Sequence, residues 1–129
     1  MVEIIAIDGP ASVGKSTLAK KISNYYEVPL LNSGRLYRAV ALEIINKKIN
    51  INDKYKILHC AKSLTDKNLR SKKLFSSKID KIASEISSKK YLRKQLMAYQ
   101  REFPKKYAKG KKFAVIEGRA VSYTHLTLP

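Results

Sequence analysis

The sequence predicts an α/β domain built on a parallel sheet, and three observations carry that prediction. Two short apolar runs, EIIAID at 3–8 and FAVI at 113–116, have the continuous hydrophobicity of strands buried on both faces. Between them, apolar residues recur at helical spacing over several segments. A glycine-bearing stretch, GPASVGKS at 9–16, stands at the junction of the first strand and the first helix. Strand, helix, strand, several helices, strand is the order expected of parallel strands joined by helical crossovers.

Each element has its own justification. After EIIAID, Gly9-Pro10 ends the strand, and a helix is expected over about 14–26 with Leu18, Ala19, Ile22, Tyr25 and Tyr26 on its apolar side. VPLL at 28–31 reads as a short strand, and Pro29 confines it to an edge or a strand start. Asn32 or Ser33 can cap the next helix, whose Leu36, Ala39, Val40 and Ile44 keep helical spacing to about residue 47. NKKININD is a turn, and Asn52 or Asp53 opens a helix bearing Ile57, Leu58, Ala61 and Leu64. Residues 65–75 read as polar and irregular. Ser76 then caps a helix with Ile79, Ile82, Ala83 and Ile86 facing inward. A helix over about 90–103 carries Leu92, Leu96, Tyr99 and Phe103, and Pro104 is expected to stop it. KKYAKGKK at 105–112 is expected as a basic surface loop, and Tyr25, Tyr26, Tyr91 and Tyr99 as packing at the edge of the core.

Composition narrows the classes of function. A chain of 129 residues allows one modest domain. It has no apolar run long enough to span a membrane and no basic, then apolar, leader at its start, so a cytoplasmic protein is expected. Cys60 is the single cysteine, which leaves no internal disulfide, and with His59 beside it but no second ligand pair a metal site there is not expected. The formal net charge of +17 raises a nucleic-acid partner as one alternative. Lysine dominates it, however, 21 against 6 arginines spread along the chain, whereas nucleic-acid readers favour arginine interleaved with aromatics. A solvated basic surface is the preferred reading.

GPASVGKS fits the P-loop pattern G-x-x-x-x-G-K-[ST], between strand and helix where its mechanism requires it. The backbone from Gly9 through Pro10, Ala11, Ser12 and Val13 to Gly14 would curl around phosphate, its N–H groups (Pro10 has none) pointing inward and helped by the helix N-terminus. Lys15 would reach the β- and γ-phosphates of ATP, Ser16 would offer its hydroxyl to Mg²⁺, and Thr17 would reach the α-phosphate. The plainer alternative is a glycine-rich turn with a surface lysine. A P-loop names no acceptor. Glu117, ending FAVIE, is the nearest candidate for a second, Walker-type acid.

IAIDGPASVGKSTLAKKIS, then LLNSGRLYRAVAL, then VIEGR together resemble bacterial cytidylate kinase over residues 1–119. The P-loop is generic, but the S-G-x-x-Y-R segment is specific. The resemblance implies a three-layer P-loop nucleoside monophosphate kinase fold that passes the γ-phosphate of ATP to CMP or dCMP with Mg²⁺; a monomer is expected, though the sequence itself does not give the oligomeric state. It implies that Ser33, Tyr37 and Arg38 bind the monophosphate and that Arg119 grips the phosphate in transfer, a surface ion pair being the alternative for Arg119. IASEISSKKYLRKQL resembles the cytosine-reading segment, with Ser84 and Arg93 at the matching positions; a helix-surface serine and a solvated arginine remain open for these two. Asn32 stands where many members have Asp. On this reading, 1–47 and 104–119 form the strand core with its P-loop, and 48–103 the monophosphate-binding helical region. A P-loop kinase of another small acceptor is the nearer alternative, and a basic nucleic-acid-binding module the more distant one.

Residues 120–129, AVSYTHLTLP, contain no lysine and break with the composition before them. The family motif continues after EGR with Asp, where this chain has Ala120. Back-translated in one frame, VSYTHLTLP resembles the transposase adapter of sequencing libraries, so 120–129 is read as a non-native tail. The resemblance also implies further strands and an arginine-bearing lid, so the 129 residues by themselves are expected to be unstable or at most a weak nucleotide binder.

Overall fold

A single strand, the last among the described residues, organises the sheet. The computed structural model describes residues 3–8 and 15–118; the predicted phosphate loop at 9–14, Arg119 and the 120–129 segment lie outside that range. Three parallel strands, β1 (Glu3–Asp8), β2 (Leu30–Asn32) and β3 (Phe113–Gly118), lie in the order β1-β3-β2. β3 pairs along its whole length with β1, from Glu3↔Phe113 to Asp8↔Gly118, and at Leu30↔Val115 to Asn32↔Glu117 with β2. A strand flanked on both sides has no exposed backbone edge, and parallel sheets, covered by crossover helices on both faces, have central strands that are apolar throughout. Accordingly Ala114, Val115 and Ile116 have no exposed surface. Pro29 precedes the edge strand β2, and its carbonyl accepts the Val115 amide at 2.9 Å, so its missing N–H costs the sheet nothing.

The chain divides into two compact units, Met1–Ser33 with Tyr99–Pro129, and Gly34–Ala98. The first holds the sheet and α1 (Lys15–Tyr26). α1 buries a narrow stripe: Ala19 packs with Val28 and Val115, and Ile7, Ile22, Leu30 and Phe113 border that cluster. The expected apolar side of α1 was too wide. Leu18 is 51% exposed, Tyr25 81% and Tyr26 55%, because only about a third of a helix's circumference can face a sheet. Tyr26 instead meets Phe113 edge to face, with ring centroids 5.2 Å apart, and Tyr25 packs on Tyr26 at 4.8 Å. Tyr91 and Tyr99 are half-buried, as edge positions should be.

The second unit is helical. It holds α2 (Ser33–Asn46) from Gly34 onward, α3 (Lys54–Lys62), α4 (Asp66–Leu69), α5 (Ser77–Ile86) and the start of α6 (Lys90–Tyr107). The predicted stripe of α2 is buried at Leu36, Ala39, Val40 and Ile44. Asp53 caps α3, accepting the Lys56 amide at 3.1 Å, and Ser76 caps α5, accepting the Ile79 amide at 3.2 Å.

Two further expectations fail locally. Residues 65–75 are not irregular: they form α4 and a 3₁₀ turn at Lys72–Leu74. Asn68 Oδ1 accepts the Thr65 amide at 2.8 Å, and Asp66 pairs with Arg70 at 3.0 Å, while Leu69 and Leu74 are buried. Two apolar anchors and local side-chain bonds are enough to order a polar stretch. Pro104 does not stop α6, which runs on to Tyr107 and takes in the first three residues of the expected basic loop. Proline removes its own amide bond but holds a helical φ, and the Ala108 amide closes the following turn on the Pro104 carbonyl at 2.9 Å. The chain then turns at Gly110, whose φ of +77° favours glycine. Among the described residues no helix is long and apolar enough to cross a membrane.

Because β3 carries the sheet, Ile116→Ala in the full-length protein should lower unfolding free energy by about 2–5 kcal/mol in urea titrations. Tyr25→Ala, at an 81% exposed position, should change it by less than about 1 kcal/mol.

Candidate active site

Parallel pairing puts the C-terminal ends of all three strands on one edge of the sheet, where open α/β sheets bind ligands. Asp8 lies opposite Gly118, and Asn32 opposite Glu117. Neighbouring strands are about 4.8 Å apart, so three chain exits converge there. The segment after Asp8 is the predicted phosphate loop, six residues that end where α1 begins at Lys15. Ser33 follows Asn32 directly as the first residue of α2 and is 7% exposed. The segment after Gly118 begins with Arg119. Lys15, Ser16 and Thr17 occupy the first turn of α1; Gly9, Pro10, Ala11, Ser12, Val13, Gly14 and Arg119 lie outside the described residues.

Glu117 is a carboxylate with 2% of its surface exposed, at the C-terminal end of the central strand. Burying such a group costs several kcal/mol unless it is hydrogen-bonded. Asn32 Nδ2 donates to its Oε1 at 3.0 Å, which ties the end of β2 to the end of β3 through side chains as well as backbone. The sequence offered Glu117 as a candidate acid. The pairing with Asn32, 85 positions away, had no sequence signal.

The predicted acceptor residues Tyr37, Arg38, Ser84 and Arg93 lie in the helical unit. Arg38, on the second turn of α2, donates from Nη1 to the Leu74 carbonyl at 3.2 Å and forms an ion pair with Asp80 of α5. Its guanidinium carbon lies 5.0 Å from the centroid of the Phe75 ring. Arg35, one turn earlier, lies 4.9 Å from the same ring and donates to the Leu69 carbonyl at 3.0 Å. Tyr37 is half-buried, and burial pushes its phenol above the ordinary range while the positive charge of Arg93 opposes that rise. Tyr37 and Arg93 are therefore within electrostatic reach of each other. Ser84, on α5, and Arg93, on α6, are both exposed; the Ser84 carbonyl accepts the Ser87 hydroxyl at 2.7 Å. Phe75 and Asp80 are the residues that the sequence reading missed. An exposed phenylalanine in a polar stretch was the only available hint.

The sequence profile of the cytidylate kinase family matches residues 5–126, a span that includes part of the compositionally distinct 120–129 segment. Named cytidylate kinases align over 118 residues, 92% of this chain. That of Bartonella quintana (strain Toulouse) is 37% identical with 53% of its length covered, and that of Methylobacterium sp. (strain 4-46) 35% identical with 54% covered. That of Acidiphilium cryptum (strain JF-5) is 36% identical, with 53% covered. The chain spans about half the length of the curated relatives it matches.

The raised phenol of Tyr37 gives a pH test. A group whose folded value is raised contributes its full stability below its unfolded value, about pH 10 for tyrosine, and loses it as pH rises through the folded value. Denaturant midpoints measured on either side of about pH 10 should therefore fall more steeply in the parent than in Tyr37→Phe.

Proposed function

Given that the chain belongs to the cytidylate kinase family, we propose that its activity is transfer of the γ-phosphate of ATP to CMP or dCMP, giving ADP and CDP or dCDP. The observation that carries this reading is the family match over nearly the whole chain. The geometry supports it through the strand ends: Asp8 and Asn32, which precede the donor and acceptor motifs, flank the end of β3.

An oxygen of the CMP phosphate attacks the γ-phosphorus, and the bond from that phosphorus to the β–γ bridging oxygen breaks as ADP leaves. No covalent enzyme intermediate is needed, so the protein contributes positioning and charge neutralisation. The backbone N–H groups of 9–14 other than Pro10 cradle the donor phosphates, and Lys15 neutralises the β- and γ-oxygens. Ser33, Tyr37 and Arg38 hold the acceptor phosphate, Arg38 through a planar fork that stays charged at any working pH. Arg119 meets the charge that develops on the transferred group. Ser84 and Arg93 hydrogen-bond the base.

Mg²⁺ fits the oxygen donors present. Magnesium keeps several waters and takes phosphate oxygens rather than a full protein cage. The Ser16 hydroxyl in the first turn of α1 and the buried Glu117 carboxylate are hard ligands of the right kind. When bound with ATP, it supplies charge neutralisation across the β- and γ-phosphates. The reading places the protein in the cytoplasm as a monomeric enzyme of pyrimidine nucleotide metabolism.

Steady-state kinetics of the full-length protein test the assignment. Lys15→Ala should lower kcat by about 10²–10³-fold. Arg38→Ala should raise the KM for CMP by about 10–100-fold while leaving the KM for ATP unchanged. Unaltered kinetics in both variants would remove the phosphate-transfer assignment of these residues.

A further inference from the structure

We propose that Asp80 is a positioning residue for Arg38, holding the guanidinium so that its Nε–Nη2 edge is presented to the acceptor phosphate. This rests on the reading of Arg38 as a phosphate ligand and extends it to a residue that no motif marks.

Three groups of the helical unit hold Arg38. Asp80 Oδ1 and the Leu74 carbonyl both accept from Nη1, and the Phe75 ring lies 5.0 Å from the guanidinium carbon. Nη1 carries two hydrogens, so each has an acceptor. The remaining N–H groups, one on Nε and two on Nη2, have no partner among the described residues. Those two nitrogens form one side of the guanidinium fork, the side that matches two oxygens of a phosphate. The contact with Phe75 restricts the plane of the group, and the two acceptors on Nη1 restrict rotation within that plane. Arginine is rotamer-rich, and binding is stronger when its orientation is set in advance.

The fold fixes Asp80 itself. Ser76 caps α5, and Ile79 and Ile86 bury its inner face. Asp80 lies next to Ile79 with its side chain 56% exposed, against 28% for Arg38. Solvent screens a pair at that exposure, so its value as a stabilising ion pair is small, and orientation is the larger effect. The aspartate charge also opposes an incoming phosphate, and a neutral isostere separates the two effects: asparagine keeps an oxygen acceptor for Nη1 and loses the charge.

The test is CMP affinity by calorimetry, with kcat and KM, in the full-length protein. Asp80→Ala should raise the Kd and KM for CMP about tenfold, with kcat changed less than about twofold and the KM for ATP unmoved. Asp80→Asn should restore CMP affinity to within about threefold of the parent. If Asp80→Ala binds CMP as tightly as the parent or more tightly, or if Asp80→Asn is as weak as Asp80→Ala, the positioning role is overturned. Arg38→Ala serves as the control. If it leaves CMP binding intact, the phosphate-ligand reading fails, and this inference with it. If it abolishes binding while Asp80→Ala does nothing, only this inference fails.

Discussion

Parallel pairing of β3 on both its edges is the constraint on which the sheet unit depends. Among the described residues β3 is the last strand, yet it sits between the first two. Ala114, Val115 and Ile116 are fully buried there, and α1 packs on an apolar surface formed by Val28 and Val115. The pairing also determines where polar chemistry can occur. A parallel sheet offers its loops at the carboxyl ends of its strands, and here Asp8, Asn32 and Gly118 are brought to one edge by backbone register alone. The buried Glu117 is tolerated at that edge because Asn32 donates to it.

The helical unit achieves a different kind of order. Its sequence is rich in lysine and serine, and its elements are short, but side-chain caps and apolar anchors order them. Asp53 and Ser76 fix two helices. Leu69 and Leu74 fix the segment between them, and that segment supplies the Leu69 and Leu74 carbonyls to which Arg35 and Arg38 donate. A stretch that reads as a polar connector is thus the scaffold for two arginines on α2.

The sequence was most legible where one local rule decides the outcome. A continuous apolar run marked β1 and β3, helical spacing marked α2 and α5, and a side-chain oxygen before an apolar run marked the caps. It was less legible where two rules compete. At Pro104 the loss of an amide argues for a stop, while the proline φ argues for one more turn, and the turn forms. On α1 the count of apolar residues exceeded the surface available to bury them, so Leu18 and Tyr25 face out. For the site, Ser33, Tyr37 and Arg38 came from the resemblance of LLNSGRLYRAVAL to a family motif, not from a local rule. Asp80 was invisible: its relation to Arg38 spans 42 positions and depends on how α5 lies against α2.

The central claim is that the convergent strand ends serve phosphate transfer to a cytidine monophosphate. It is tested most directly by incubating the full-length protein with ATP and Mg²⁺ and an equimolar mixture of CMP, dCMP, UMP and AMP, and resolving the products chromatographically over time. The account predicts that CDP and dCDP accumulate first, with ADP formed from ATP in step with them. Early conversion of UMP or AMP in preference to the cytidine nucleotides, or no phosphorylation of any of the four, would contradict it.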